Sequence, residues 1–416
     1  MRSDLATWPL GMNEEVLMAR AFLNRVAEPA SIPVWDMVRR DGPVQAAEAI
    51  RAGRVDDCVS DATAARAAHA DPLADLEAAH RHGIRLVVPE SDEWPHFAFA
   101  ALEATALRRL ETYRSGQRRH AEGGELIPPL ALWVRGTTDL ASVGVRSVSI
   151  VGARAATPYG ERVARELASG LAERGFLVVS GGAYGIDAAA HRGAFAVAQE
   201  TVVVSAGGLD RAYPPGNTAL FERAAESGLL ISESPPGSAP QRRRFLTRNR
   251  VIAALGTGTV VVEAARRSGA MNTAHHCVGL GRPLMAVPGP VTSAMSVGCH
   301  ALIAAESGAA RLVSDVDDVL LMIGSAGDLP VDPQPPSPPD LRSRLDQLDQ
   351  PARQVFDGFP ARAWVHPDRL AVRTGLSPLA VIRALPILEM SGLIEAADGG
   401  YRIARATRPT TSTQAP

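Results

Sequence analysis

The sequence predicts an α/β protein: a Rossmann-like doubly wound parallel sheet, with an N-terminal helical domain and a C-terminal winged-helix domain. Three observations carry that expectation. Short valine-rich runs alternate with helix-length segments through the middle of the chain, and three of those runs end in glycine-containing turns. A proline-rich stretch then separates this middle part from a pattern of three helices and a hairpin. At 416 residues the chain exceeds one hydrophobic core, so two or three domains are expected.

Residues 1–83 read as the helical domain. Apolar residues recur at helical spacing in Val16-Leu17-Met18-Ala19-Arg20-Ala21-Phe22-Leu23. Residues 1–85 hold 10 Arg against 13 Asp and Glu, so charge alone gives this region no attraction for nucleic acid.

Residues 84–323 carry the sheet. Strands are expected at Ser147 to Val151, Phe176 to Ser180, Thr201 to Ser205, Leu229 to Ser232, Thr259 to Val262, Pro283 to Val287 and Arg311 to Val313. Helices are expected between them at Tyr159 to Arg174, Asp187 to Ala198, Asn217 to Ser227 and Asn272 to Leu280. Apolar strands of this kind are buried on both faces, as a crossover-connected parallel sheet requires.

Residues 324–345 form a semi-extended linker rich in Pro, Asp, Ser and Gly, with Pro333, Pro335, Pro336, Pro338 and Pro339. Residues 346–406 follow as the winged-helix-like part: helices over Pro351 to Phe359, Pro367 to Arg373 and Pro378 to Met390, then a hairpin turning on Asp398-Gly399-Gly400. Pro386 is expected to kink the third helix. Over residues 346–405 seven Arg balance seven acidic residues, so a protein contact or a structural role is as open as a grip on DNA. The Thr/Pro-rich tail, 407–416, is expected to be disordered.

Composition excludes several functions. All 43 basic residues are arginine, which removes a Walker A loop and any lysine Schiff base. Guanidinium instead offers planar, bidentate contacts to phosphate at any accessible pH. The three cysteines, Cys58, Cys277 and Cys299, are far apart and odd in number, which argues against a disulfide framework or a zinc ribbon. His275-His276-Cys277 is a poor metal set, because adjacent helical residues point about 100° apart. No cofactor and no metal is expected. No apolar run approaches the roughly 20 residues of a membrane span, and Met1-Arg2-Ser3-Asp4 opens no signal peptide, so a cytoplasmic location is expected.

The chemistry points to phosphate. Val151-Gly152-Ala153-Arg154, Ser180-Gly181-Gly182 and Ser205-Ala206-Gly207-Gly208 place glycine turns at strand ends, where backbone and helix N-termini offer amides to anions. Residues 241–267 hold seven Arg and one acidic residue, Glu263. Arg248-Asn249-Arg250 is expected to open the apolar helix Val251 to Leu255, with an N-cap role open to Asn249. Cations there oppose the helix dipole, which a bound polyanion would explain. Dinucleotide binding is disfavoured, because the turn reads G-G-x-x-G and no carboxylate stands at the next strand tip for a ribose.

An ordered set of motifs then closely resembles the DNA-processing protein DprA (Smf) family. The set runs from Ser180-Gly181-Gly182-Ala183-Tyr184-Gly185-Ile186-Asp187 with His191, through Gly208-Leu209-Asp210, Tyr213-Pro214 and Ser232-Glu233, to Arg248-Asn249-Arg250. It continues with Val261-Val262-Glu263-Ala264, Arg267-Ser268-Gly269, Thr273-Ala274 and Val287-Pro288-Gly289, and upstream with Asp92-Glu93-Trp94-Pro95 and Leu132-Trp133-Val134-Arg135-Gly136. The likeness is strong over Ile84 to Leu320, and the helical (SAM-like) N-terminus and the winged helix fit one of the family's layouts. Leu246 departs from the proline that the family usually has before R-N-R.

The resemblance implies a non-enzymatic, cytoplasmic homodimer that binds single-stranded DNA. It implies loading of RecA recombinase and displacement of single-strand-binding protein during natural transformation. Carried over by position, the DNA phosphates would meet Arg154, Ser180, Gly181, Gly182, Tyr184, Gly185, Arg248, Asn249 and Arg250. Arg248 and Arg250 would line one wall of the groove, with Asp187 and Glu263 as partners that orient the arginines. Two alternatives stay open. Gly256-Thr257-Gly258-Thr259 before Glu263 is similar to nucleoside-monophosphate phosphoribohydrolases, though without their P-G-G, and the C-terminal part would suit a winged-helix regulator.

Overall fold

The computed structural model describes residues 13–114, 126–305, 308, 310–325, 327–328, 348–360, 363–397 and 399–404. Most of the proline-rich linker and the whole tail expected over 407–416 lie outside the described residues. The chain divides into two compact units, Met1–Leu329 and Pro330–Pro416.

The first unit opens with five helices: α1 Glu14–Val26, α2 Ile32–Asp41, α3 Pro43–Arg51, α4 Asp57–Ala67 and α5 Pro72–Arg81. Asn13, Asp56 and Asp71 start α1, α4 and α5 by accepting backbone N–H groups of the first turn, and proline occupies the first turn of α2, α3 and α5. Helix α1 packs against the core and is tied to it: Asn24 accepts the Trp133 indole N–H at 2.8 Å, and Arg20 donates to the Leu130 carbonyl at 3.0 Å.

The sheet has nine strands: β1 Arg85–Val87, β2 Leu132–Gly136, β3 Ser147–Val151, β4 Leu177–Ser180, β5 Thr201–Ser205, β6 Leu229–Ser232, β7 Thr259–Val261, β8 Leu284–Ala286 and β9 Arg311–Leu312. Their order is β1-β2-β6-β5-β4-β3-β7-β8-β9. Seven strands, from β6 across to β9, run parallel, while β2 pairs antiparallel with both β6 and β1. The seven expected strands form the parallel sheet, and β1 and β2 are two further strands beyond those expected from the sequence. Leu132, Trp133 and Val134 are buried just like the parallel strands.

The other helices of this unit are α6 His96–Arg114, α7 Pro158–Glu173, α8 Ile186–Ala196, α9 Thr218–Ser227, α10 Arg242–Leu255, α11 Gly269–Gly279, α12 Val297–Ile303 and α13 Val316–Ile323. The period-2 rule sorts the core. Val148, Ile150, Val178 and Val260 meet α7, α8 and α13 on one face, and Val179, Val202, Val204 and Val261 meet α10 and α11 on the other. Chain order reverses at β3, which has β4 on one side and β7 on the other. The crevice at their carboxyl ends is the switch point of the fold, where ligands of such sheets bind.

In the second unit, helices Gln350–Asp357, Pro367–Thr374 and Pro378–Met390 precede an antiparallel hairpin, β10 Ile394–Ala397 and β11 Gly400–Ile403. The helix continues through Pro386 from Pro378 to Met390. Pro386 and Ile382, four residues earlier, both face solvent, so water can satisfy the carbonyl that loses its donor.

Candidate nucleic-acid interface

Three loops meet at the switch point. The Ile186 N–H donates to the Ala153 carbonyl at 3.2 Å, joining the turn after β4 to the loop after β3. Gly185, at φ +74°, precedes α8 in a conformation that disfavours a side chain, and a Cβ there would overlap the carbonyl oxygens of Ala153 and Arg154. Gly182 is also left-handed at φ +69°, so Gly181 and Gly182 form a tight, buried turn.

Helix α10 lies against the sheet, and its direction follows from three contacts. The Ser147 hydroxyl donates to Leu255 O, the Ser149 hydroxyl donates to Ile252 O at 2.7 Å, and Arg248 reaches the carbonyls of Gly181 and Val204 at the carboxyl ends of β4 and β5. The first turn of α10 therefore projects beyond the carboxyl edge of the sheet.

Arg248, Asn249 and Arg250 do not open this helix. They sit in its middle, which begins at Arg242 with Gln241 as N-cap, so the dipole argument for a polyanion does not apply and Asn249 is not a cap. Successive helical residues point about 100° apart, and the three side chains diverge. Arg248 lies beneath the glycine turn, 7% exposed, donating from Nη1 to Gly181 O at 2.8 Å and to Val204 O. Its Nε has no partner among the described residues. Asn249 donates to Gly269 O at 3.2 Å and to Asn272 Oδ1 at 3.1 Å, bridging α10 to the start of α11. Arg250 is fully buried: Glu233 accepts from Nη1 at 2.5 Å and Nη2 at 2.7 Å, and Ile127 O accepts from Nε at 2.8 Å. Arg250 thus faces inward and not along a groove wall.

The supporting carboxylates also separate. Asp187 is buried near Arg248; burial pushes its carboxyl up, opposed by the Arg248 charge and a long hydrogen bond from the Ala183 N–H. Burial lowers Arg248 to about 10, with Asp187 opposing the shift. Glu263 orients no arginine among the described residues. It accepts from the backbone N–H of Thr157 at 2.9 Å and from its hydroxyl at 2.6 Å, while Thr157 caps α7. Ser180 is likewise turned into the sheet, where its hydroxyl donates to Ile150 O at 2.6 Å.

What remains exposed is a rim of cations and aromatic rings. The Arg154 guanidinium lies 4.9 Å from the centre of the Phe245 ring, and Tyr213 meets that ring at 5.6 Å, tilted by 49°. Tyr184 is half exposed and its hydroxyl accepts from the Gly216 N–H at 3.2 Å. Arg242 and Arg243, on the projecting turn, are exposed and make no ion pair with described residues; the same holds for Arg266 and Arg267 after β7. The sequence showed these residue types but not the Arg154–Phe245–Tyr213 stack, whose members are scattered over 92 residues.

Among the described residues no cluster of three or more His, Cys, Asp or Glu could hold a metal, and no single helix is long and apolar enough to cross a membrane.

The sequence comparisons agree on one family. Residues 124–324 match the family model described as DNA recombination-mediator protein A, and residues 332–400 match the DprA winged helix domain. The chain is 45% identical over 395 residues to a putative DNA processing protein DprA from Mycobacterium tuberculosis, covering 95% of this chain and 96% of that one. It is 35% identical over 285 residues to protein Smf from Escherichia coli, covering 67% and 73%. The X-ray structure of DNA processing protein A from Streptococcus pneumoniae shares the fold at a TM-score of 0.58 and 24% identity, over 75% of this chain and 98% of that one. The chain belongs to the DprA (Smf) family of DNA-processing proteins.

Proposed function

We propose that this protein binds single-stranded DNA along the carboxyl edge of its parallel sheet. The observation that carries the reading is the stacked set Arg154, Phe245 and Tyr213 beside the Gly181-Gly182 turn. A duplex hides its base faces, whereas a single strand offers both a base to stack on an aromatic ring and phosphates for guanidinium and backbone N–H groups. On this reading Arg154, Gly181, Gly182, Tyr184 and Gly185 lie against the strand. Arg248 adds positive potential from below, and Asn249 and Arg250 act as structural ties.

By family analogy, the same strand would be handed to RecA recombinase, with displacement of single-strand-binding protein, by a homodimer acting in natural transformation. A non-enzymatic role is favoured over nucleotide cleavage, because both oxygens of Glu263 are already engaged by Thr157 and the side chain is 2% exposed. Titration of a labelled single-stranded oligonucleotide beside its duplex tests the proposal. Tight binding of the single strand with a clear preference over duplex is expected; equal or stronger duplex binding overturns it.

A further inference from the structure

The N-terminal helices grip the element that carries the rim. Glu28, in the link after α1, accepts from Arg244 Nε at 3.0 Å and Nη2 at 2.9 Å, and also pairs with Arg66 of α4. Beside it, Arg25 of α1 donates to Pro236 O at 3.0 Å in the loop leading to α10 and is paired with Asp75 of α5. Arg244 belongs to the projecting turn of α10, next to Phe245. Its neighbours Arg242 and Arg243 are exposed, while the Arg244 side chain is only 14% exposed. One carboxylate thus links α4, the α1 to α2 connection and the first turn of α10.

We propose that Glu28 is a positioning residue for DNA binding: by holding Arg244 it fixes the turn on which Phe245 meets Arg154. This inference rests on the rim being the DNA site. It gives the acidic N-terminal region a function that charge attraction does not. A preorganised rim loses less conformational freedom when a strand docks, so loosening the turn weakens binding without removing a phosphate contact.

The charge change makes the role distinguishable. Glu28→Gln removes a negative charge near a DNA-binding surface, which by electrostatics alone strengthens binding. Positioning requires the reverse.

The test is single-strand affinity and its salt slope in the full chain for Glu28→Gln, Arg244→Gln, the double variant and Glu28→Asp, with Arg154→Ala in parallel and thermal unfolding as the fold control. Glu28→Gln and Arg244→Gln are each expected to weaken binding about fivefold with an unchanged slope. The double variant is expected to be no weaker than either single one, and Glu28→Asp to recover part of the loss. Unchanged or tighter binding by folded Glu28→Gln, while Arg154→Ala weakens, overturns the positioning role and leaves the rim standing. Unchanged binding by Arg154→Ala as well overturns the rim itself. A flatter slope for Arg244→Gln would make Arg244 a direct phosphate contact and also overturn the proposal.

Discussion

Arg248 and Gly181 are packed so closely that a Cβ on the glycine would stand 2.6 Å from Nη2 and 2.7 Å from Nη1 of the guanidinium. The arginine in turn donates to the carbonyl of that glycine. Each residue type therefore requires the other: only glycine leaves room for the guanidinium, and the guanidinium holds the turn in shape.

Gly181→Ala is expected to destabilise the fold by about 1–3 kcal/mol through overpacking and to weaken single-strand binding. Arg248→Ala strips a donor from two carbonyls and leaves Asp187 without its neighbouring cation, at a cost of about 2–4 kcal/mol. Chemical denaturation of both variants checks these values.

Arg154 and Arg250 should behave oppositely. Arg250→Ala abandons Glu233 in a buried site and is expected to cost about 3–5 kcal/mol of stability. Arg154→Ala, at an exposed position, is expected to change stability by no more than about 0.5 kcal/mol while weakening single-strand binding. Melting curves paired with titrations separate the two effects.

Thr157→Val removes the hydroxyl that caps α7 and donates to Glu263, and is expected to cost about 1–2 kcal/mol. If Glu263 serves α7 and not cleavage, incubation with nucleoside monophosphates releases no free base from either the parent or this variant.

Two buried histidines give the fold an acid limit. His191 sits against Thr201 Oγ1 at 2.7 Å; since that hydroxyl donates to Val178 O, Nδ1 carries the proton and Nε2 has no partner among the described residues. Burial lowers His191 to about 3, with the Arg248 charge adding to the shift. Burial lowers His276 to about 4, with Arg250 contributing. Both folded values lie below the unfolded 6.5, so the unfolded chain binds protons first as pH falls. Stability is complete above about pH 6.5 and drains towards pH 3–4, by about 2 kcal/mol per histidine at pH 5. Replacing His191 by Gln is expected to flatten the melting profile between pH 7 and 5.

The sheet was legible because buried strands and crossover helices impose period and length on the sequence, and nearly every expected parallel strand stands within a residue or two of its place. β1 and β2 were not legible as strands, since a three-residue run and a short run outside the regular strand–helix alternation carry little period of their own. In the site, Gly182 and Gly185 could be read because left-handed backbone leaves few alternatives to glycine. Arg250 and Glu263 could not, since a charged residue in a motif looks the same whether it faces a phosphate or a buried partner. Glu28 gave no signal at all, because Arg244 lies 216 residues away.

The central claim is that Arg154 meets a strand phosphate on this rim, and the salt dependence of binding tests it most directly. Log affinity plotted against log salt for the parent chain should fall with a slope of about −0.7 for each phosphate contacted, and Arg154→Ala should make that slope shallower by about 0.7. Identical slopes and affinities for the two folded proteins would contradict the account.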